Sequence, residues 1–454
     1  MGSTPSRRPS VKTGRAADLP GTIALLARGC CAVGPSCDAP GEMNAWKLIA
    51  AAALAGFLLG PAAAPAAGTK RPRPNDVPAA ETSMAPNGFQ VYNDYASPER
   101  TYSSRSVVVH YVVLGIDAPP LNDDDADSIP DYVERVGEAA DRALAYYARR
   151  GFRPPRPDDA GPDARPDIYL SRFSPGTLGL ALPPGRAEGG AFAVVSNNLD
   201  PSSERSFASV SATVAHELFH LVQFSYFGPE SDPAIPTWIL EGTAAALETR
   251  VNPELDDLVS TIQLSRWFAA TERSMTTQSY GAQLLWRLLD SEQPRLLPAL
   301  FSRLAEHPTG GEGKHAVAST YAHVAGKPFA DAFHRFAVSV AADYADHLDP
   351  VRGPLRAALA PLSVRYLRVT LPRSGRSTLI VTFPHGRADA ATTLVYRLES
   401  NVSGKPARTR PIAPRVHAGG RSVAFTVSAG RDKSALLVLS NGGEGTVPYA
   451  VGVR

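Results

Sequence analysis

Apolar residues follow two different spacings along the chain. Up to about residue 358, short continuous apolar runs alternate with longer segments in which apolar residues recur every three or four positions, as they do on one face of a helix. The strand-like runs are 106–114, 167–170 and 191–196, and the helical segments are 133–147, about 206–224, 236–248 and 255–349. We expect a Pro/Gly-rich loop between the second and third of these strands. This mixture predicts an α+β domain.

From about residue 366 the apolar spacing changes to two, which is typical of half-buried strands. The alternating runs are separated by Gly-, Ser- and Asn-containing turns and cover 366–371, 377–383, 392–398, 421–427, 434–439 and 448–453. Six or seven short strands in about ninety residues predict a small β-sandwich. We therefore expect an α+β domain over 89–358 and an all-β sandwich domain over 359–454, whose role the sequence leaves open.

One helical segment contains a metal-binding pattern. His216, Glu217 and His220 form the sequence HExxH within 206–224, and the apolar residues of this segment fall on the opposite side of the helix. Two histidines four residues apart lie one above the other, so both imidazoles can bind one metal ion while the glutamate reaches its water. The pattern predicts a zinc site. The alternative is an amphipathic helix with a solvated polar face.

A catalytic zinc needs a third protein ligand and one open coordination position. Two patterns that would supply this ligand are absent: position 226 is tyrosine instead of histidine, and alanines follow the Gly-Thr pair at 242–243 where an aspartate is required. The stretch 236–248 instead contains Glu241, 21 residues after His220. Three acidic residues compete with it on composition alone, namely Glu230, Asp232 and Glu248.

An acidic stretch lies upstream, at residues 123–134. Its carboxylates fall at positions 1, 3, 5, 9 and 12 of a twelve-residue calcium loop, and Ile129 offers a backbone carbonyl at position 7. Ser128 stands at position 6, where such loops usually have glycine. The pattern predicts a structural calcium bound by Asp123, Asp125, Asp127, Asp131 and Glu134. The alternative is an acidic loop that N-caps the following helix.

These motifs together resemble one family of enzymes. HExxHxxQ followed about twenty residues later by WxxEGxA is similar to the gluzincin zinc metallopeptidases, and especially to secreted bacterial metalloproteases with an upstream DxDxDxIPDxxE loop. The resemblance implies a zincin-like catalytic domain over 89–358. It also implies that His216, His220 and Glu241 bind zinc and that Glu217 is the general base.

The resemblance extends to the region after the metal ligands. Gluzincins have a helical lower subdomain, which matches 255–349, and often place a tyrosine or histidine where it can stabilise the oxyanion. Tyr280 is the candidate for this role, and His323 and His334 are its rivals. Some members orient a ligand histidine with an aspartate four residues after the third ligand. Ala245 occupies that position here, so no residue is assigned to orient the histidines.

Extended substrates can bind to such enzymes by pairing with a strand edge. The strand before the metal helix, 191–196, is the expected substrate edge.

The N-terminal sequence predicts export. From Met43 it has a short basic region, an apolar run at 48–59 that is too short to span a bilayer comfortably, and a small-residue cleavage site. We expect a signal peptide over 43–66, a secreted bacterial-type protein without a stable membrane span, and a linker or short pro-segment over 67–88. Residues 1–42 read as a non-native or disordered upstream extension, and all three cysteines lie within it.

The net charge of the chain bears on whether it binds nucleic acid. The formal net charge is +2 in 454 residues, so nothing indicates binding to nucleic acid. The expected function is a secreted zinc endopeptidase that acts on protein or peptide substrates; its oligomeric state is not predicted. Two alternatives stay open. One is a catalytically silent zincin scaffold that binds surfaces, and the other is a zinc hydrolase of non-peptide bonds.

Overall fold

A computed structural model describes residues 83–84, 90–92, 98–158, 161–173, 177–182, 190–199, 209–227, 235–255, 267–307, 313–341, 350–351, 354–370, 375–386, 389–398, 408–412, 415–416, 421–428 and 434–453. The expected upstream extension at 1–42 and signal peptide at 43–66 lie outside these residues, as does most of the linker at 67–88. Among the helices within the described ranges, none combines the length and the apolar character that crossing a bilayer requires.

In the first part of the described chain, seven strands form a mixed sheet. They are β1 Ser83–Met84, β2 Gln90–Tyr92, β3 Arg100–Ser103, β4 Val108–Tyr111, β5 Asp167–Phe173, β6 Gly179–Leu182 and β7 Phe192–Ser196. Their order is β1-β2-β5-β4-β3, with β7 beside β5 and β6 beside β7. β4, β5 and β7 are parallel and almost entirely buried. Burial on both faces explains why the three predicted strands are nearly continuous apolar runs.

Helices in the described residues cover one face of this sheet and extend beyond it. They are α1 Asp131–Arg149, α2 Val210–Tyr226, α3 Thr237–Val251, α4 Gln283–Glu292, α5 Leu296–Glu306, α6 Lys314–Ala325 and α7 Phe329–Ser339. Val109, Ile168 and Val195 of the sheet share a core with Val136 of α1 and Leu218 of α2. The helical spacing therefore predicted these elements correctly, with ends displaced by a few residues.

The last part of the chain forms two five-stranded sheets. The strands are β8 Pro350–Val351, β9 Leu355–Leu359, β10 Ser363–Thr370, β11 Arg376–Thr382, β12 Ala390–Leu398, β13 Arg408–Ile412, β14 Arg415–Val416, β15 Ser422–Ser428, β16 Ser434–Asn441 and β17 Val447–Val453. The orders are β13-β12-β16-β10-β8 and β14-β15-β11-β17-β9. Leu394 and Leu437 of the first sheet share a core with Leu379 and Phe425 of the second. The six predicted strands are all present.

Two features of this β region differ from the expectation. Four short strands, β8, β9, β13 and β14, were not anticipated from the alternation. The region also begins before the expected boundary at 359, because β8 pairs with β10 and β9 pairs with β17. The structure is thus mixed α and β, with the parallel strands concentrated in its first part.

The helices are joined to the first of these two sheets by buried contacts. The Tyr366 hydroxyl of β10 donates to the Ala337 carbonyl of α7 at 2.8 Å. His334 of α7 lies between two hydroxyls, with Nδ1 2.7 Å from Ser440 Oγ and Nε2 2.7 Å from Thr393 Oγ1. Burial lowers the pKa of His334 to about 4, so its imidazole is neutral at physiological pH.

A glycine allows α3 and α4 to pack closely. Trp286 of α4 stacks on Trp238 of α3 with ring centroids 5.1 Å apart, and its indole N–H donates to the Trp238 carbonyl at 2.8 Å. A Cβ added at Gly242 would lie 2.8 Å from Trp286 Cδ1. The missing side chain therefore lets the indole close on the turn of α3 that carries Glu241.

We predict that Gly242→Ala lowers the free energy of unfolding by about 1–2 kcal/mol, because forcing the Trp286 ring away outweighs the gain in helix propensity. Urea denaturation measures this. Gly452→Ala in β17 is the matched control, since no atom lies within 4 Å of the added Cβ. Equal effects of the two substitutions would contradict the packing argument.

His110 of β4 is buried between two carboxylates. Its Nδ1 pairs with Glu99, its Nε2 lies 3.1 Å from Asp167 Oδ1, and its ring stacks on Tyr169. Burial lowers the pKa of His110, but the two carboxylates more than offset this, and the pKa is raised above its usual value. His110 is thus a paired core residue of a buried strand.

This arrangement predicts a pH-dependent contribution to stability. Because the pKa of His110 is higher in the folded chain than in the unfolded chain, the contribution is complete below pH about 6.5 and disappears as the pH rises through the folded value. The free energy lost on His110→Gln, measured in urea, should therefore be larger at pH 5 than at pH 9. His323→Gln, at an exposed position of α6, is the control. A loss that does not change with pH would refute the prediction.

Candidate metal centre

Two candidate ligand histidines lie side by side on α2. The helix begins after Ser209, whose side chain accepts a hydrogen bond from the Ala212 N–H. Four-residue spacing places His216 and His220 with ring centroids 4.8 Å apart and their Nε2 atoms 3.1 Å apart. The polar side of this helix is buried, not solvated, so an ordinary amphipathic surface helix does not describe it.

A second helix brings a carboxylate to the two imidazoles. Glu241, in the first turns of α3, is buried, and its Oε2 lies 3.3 Å from His216 Nε2 and 3.6 Å from His220 Nε2. These three side chains could hold a metal ion. Of the three rival residues, Glu230 and Asp232 lie outside the described residues. Glu248 is on the far side of His216, at its Nδ1 atom.

The charges of this cluster suit a cation. Burial alone would lower the pKa of His216 and His220, but nearby carboxylates raise the pKa of both, and that of His216 strongly. Burial alone would raise the pKa of Glu241, but the two histidines hold it well below its usual value. The cluster therefore favours positive charge between these groups, which a bound metal cation would supply. Imidazoles bind a metal in their neutral form.

Glu217 lies beside the cluster and under β6. It is buried and follows His216 on α2, and the Ala181 backbone N–H hydrogen-bonds its carboxylate. Burial raises the pKa of Glu217, and the charges of His216 and His220 reduce but do not cancel this effect. A Cβ added at Gly179 would lie 2.7 Å from Glu217 Cγ, so the strand approaches this closely only because residue 179 is glycine.

Tyr280 is the candidate oxyanion residue that lies near the cluster. Its ring stacks on His216 with centroids 5.8 Å apart. Burial raises the pKa of Tyr280 well above its usual value, as do the nearby charge of Glu241 and Glu217 and a hydrogen bond with Glu241. Its rivals lie elsewhere: His323 is exposed on α6, and His334 contacts the β region.

Two residues to which the sequence analysis gave no such role contact the candidate ligand histidines at Nδ1. Glu248 Oε2 lies 3.3 Å from His216 Nδ1, and Gln223 Oε1 lies 2.7 Å from His220 Nδ1. Both could have been found from helix periodicity. Glu248 follows Glu241 by two helical turns and Gln223 follows His220 by nearly one, so each shares a helix face with a ligand.

The expected substrate edge was wrong. β7, which corresponds to 191–196, pairs with β5 on one side and with β6 on the other, so it lies inside the sheet. Among the described residues, β6 pairs only with β7 and forms the edge beside α2. The segment between β5 and β7 therefore contains a strand in addition to the expected loop.

The acidic loop gathers three of its five predicted ligands. Carboxylate oxygens of Asp123, Asp125 and Asp127 lie close enough together to hold a metal ion. Asp123 Oδ2 also accepts the Ser128 N–H at 2.8 Å, and Asp127 Oδ1 accepts the Ile129 N–H at 2.8 Å. The loop is thus folded around its own carboxylates.

The remaining residues of the loop match the expected calcium site to different degrees. Ser128 adopts a φ of +77°, the left-handed conformation that glycine usually supplies. Asp131 Oδ1 accepts the Asp124 N–H at 3.1 Å and is not part of the three-carboxylate cluster. Burial, Asp127 and Asp125 raise the pKa of Glu134, which is likewise not part of the three-carboxylate cluster. α1 has no side-chain hydrogen bond at its N-cap, Pro130, so the N-capping alternative lacks that bond.

Comparisons with known proteins do not identify a family for this chain. No protein-family model and no curated protein matches the chain. Among solved structures, it is similar to the pre-peptidase C-terminal domain of collagenase from Bacillus anthracis, at 12% identity and a TM-score of 0.17, over 23% of this chain and 91% of that one. It is also similar to a family GH115 4-O-methyl-α-glucuronidase with specificity for decorated arabinogalactans, at 9% identity and a TM-score of 0.14, over 54% of this chain and 39% of that one. Scores this low carry no argument about fold or function.

Proposed function

We propose that this protein is a secreted zinc-dependent endopeptidase of the gluzincin type, with a zincin-like catalytic domain followed by a β-sandwich domain. The observation that carries the proposal is the buried cluster of His216, His220 and Glu241 with Glu217 beside it. A metal set of this kind, together with an adjacent carboxylate, is the minimum needed for metal-assisted hydrolysis.

The donor set and its spacing favour zinc. Two imidazoles and one carboxylate are ligands that zinc takes in catalytic sites. Tetrahedral ligands at about 2.0–2.2 Å from one ion lie roughly 3.3–3.6 Å from each other. The observed separations of His216 Nε2, His220 Nε2 and Glu241 Oε2 are 3.1, 3.3 and 3.6 Å. The side chains therefore need little movement to hold one ion.

Glu217 and Tyr280 would carry out the proton transfer and the charge stabilisation. Zinc, when bound, supplies Lewis acidity that activates water and polarises the scissile carbonyl. Glu217 would accept the proton of the attacking water and pass it to the leaving amine, a role suited to a carboxylate whose pKa is raised by burial. The Tyr280 hydroxyl, held beside Glu241, would donate a hydrogen bond to the oxygen on which negative charge develops.

The edge strand β6 offers a place for an extended peptide. Ser196 N–H donates to the Leu178 carbonyl at 2.8 Å. Antiparallel alternation then turns the backbone groups of Leu180 toward β7 and those of Gly179 and Ala181 away from it. The Ala181 N–H already bonds the Glu217 carboxylate, so a peptide paired with the remaining outward groups of β6 would pass the general base. This arrangement supports a peptide substrate over other hydrolysable compounds.

We predict that the full chain binds one zinc and cleaves an unfolded protein such as casein. Glu217→Gln should retain zinc, and its cleavage rate should fall at least about 10²–10⁴-fold, because the substitution removes the proton acceptor but no ligand. Bound zinc is counted by mass spectrometry of the native protein, and cleavage is followed by release of labelled peptides. His220→Ala should lose both zinc and activity.

Glu138→Gln, at an exposed position of α1, is the matched control and should behave as wild type. An undiminished rate in Glu217→Gln would end the assignment of the general base. Stoichiometric zinc without cleavage by any variant would favour the silent surface-binding scaffold. Cleavage of esters or glycosides but not of peptides would favour the non-peptide hydrolase.

We also propose that the acidic loop binds a structural calcium ion. The three gathered carboxylates of Asp123, Asp125 and Asp127 supply the hard oxygen ligands that calcium prefers. Bound calcium would offset the repulsion between these charges and the cost of the left-handed Ser128. The ion would thus stabilise the start of α1 without taking part in the reaction.

Calcium at millimolar concentration should therefore raise the melting temperature of the wild-type chain. Asp125→Asn should lose this rise, because it removes a ligand. Asp124→Asn makes the same charge change next to it, outside the three-carboxylate cluster, and should keep most of the rise. No rise in wild type, or equal losses in both variants, would disprove a calcium site here.

A further inference from the structure

A chain of hydrogen bonds ties His220 to α3. The Thr243 hydroxyl lies 2.6 Å from the Ile239 carbonyl, and the Gln223 amide nitrogen lies 2.9 Å from the Leu240 carbonyl and 3.0 Å from Thr243 Oγ1. The Gln223 amide oxygen lies 2.7 Å from His220 Nδ1. All of these side chains are buried, so water does not compete for them.

The direction of each bond in this chain is determined by its ends. Backbone carbonyls can only accept, so the Thr243 hydroxyl donates to Ile239, and the Gln223 amide NH2 donates to Leu240. The Gln223 amide oxygen is then the atom that faces His220. Because that oxygen can only accept, His220 Nδ1 must carry a proton. When the ring is neutral, as metal binding requires, its lone pair is on Nε2, the atom that points toward Glu241.

The second histidine has an equivalent partner. His216 Nδ1 lies 3.3 Å from Glu248 Oε2, and its Nε2 lies 3.3 Å from Glu241 Oε2. An ionised carboxylate accepts and cannot donate, so Glu248 favours a proton on Nδ1 of His216 as well. Glu248 and Glu241 are on the same helix, and α3 thus holds both the ligand of the metal and the partner of a ligand.

We infer that Gln223, anchored by Thr243, and Glu248 are positioning residues that fix both ligand histidines as Nδ1-protonated, Nε2-coordinating imidazoles. The inference rests on the proposed zinc site. Ordinary burial would require only that these polar groups be satisfied in some way, and it sets no tautomer. Partners of this kind typically contribute 10–100-fold to metal affinity.

The test measures ring protonation and zinc affinity in the full chain. Long-range ¹H–¹⁵N spectra of the zinc-loaded protein, labelled at histidine, should show His216 and His220 coordinated through Nε2 with a proton on Nδ1. Gln223→Met, which keeps the size but removes the acceptor, should weaken zinc binding about 10–100-fold in a chelator competition. Thr243→Val should also weaken zinc binding, because the substitution releases the Gln223 amide.

Matched variants separate positioning from simple loss of stability. Thr249→Val removes a buried hydroxyl on the same helix that donates to the Ala246 carbonyl, away from the histidines, and should leave zinc affinity unchanged. Glu248→Gln keeps an accepting oxygen and should bind zinc more tightly than Glu248→Leu. Coordination through Nδ1 in wild type, or equal affinities of Gln223→Met and Thr249→Val, would overturn the inference and leave the peptidase proposal standing. A wild-type chain that binds no zinc would overturn both.

Discussion

The candidate site depends on the close approach of α2 and α3. α2 supplies two imidazoles one turn apart, but it cannot supply a third ligand from the same face. Glu241 reaches both Nε2 atoms because its turn of α3 packs against α2, and Gln223 bonds to the Leu240 carbonyl of that same turn. The same contact therefore brings the third candidate ligand into place and anchors one histidine. Buried polar groups of this kind are stable only as a satisfied network, so the helices and the cluster constrain each other.

Two glycines permit the approach of neighbouring elements. Gly242 lets Trp286 close on the back of the turn that carries Glu241, and Gly179 lets β6 lie against Glu217. In both places a methyl group would meet a side chain at less than 3 Å. Glu217, the proposed general base, is thus covered by an edge strand, and its burial raises its pKa. These glycines are needed because they leave room for close packing, and not because they make the backbone flexible.

Much of the site could be predicted from local sequence, because its chemistry lies on helices. HExxH specifies one face of α2, and the spacing from His220 to Glu241 agreed with a known ligand pattern. The partners Gln223 and Glu248 lie on those same faces and were within reach of the same reasoning. By contrast, the substrate edge depended on β6, a four-residue strand containing glycine that has no alternation of its own. Its conformation is determined by pairing with β7, and the sequence of β6 itself does not show that contact. Ser128 is similar, because its left-handed backbone is imposed by the carboxylates around it and not by its own preference.

The central claim is that His216, His220 and Glu241 hold one zinc ion. Anomalous X-ray diffraction at the zinc absorption edge, from crystals of the full chain grown with one equivalent of zinc, tests it most directly. The account predicts one strong peak about 2.0–2.2 Å from both Nε2 atoms and from a Glu241 carboxylate oxygen. A peak elsewhere, or no peak between these three side chains, would contradict it.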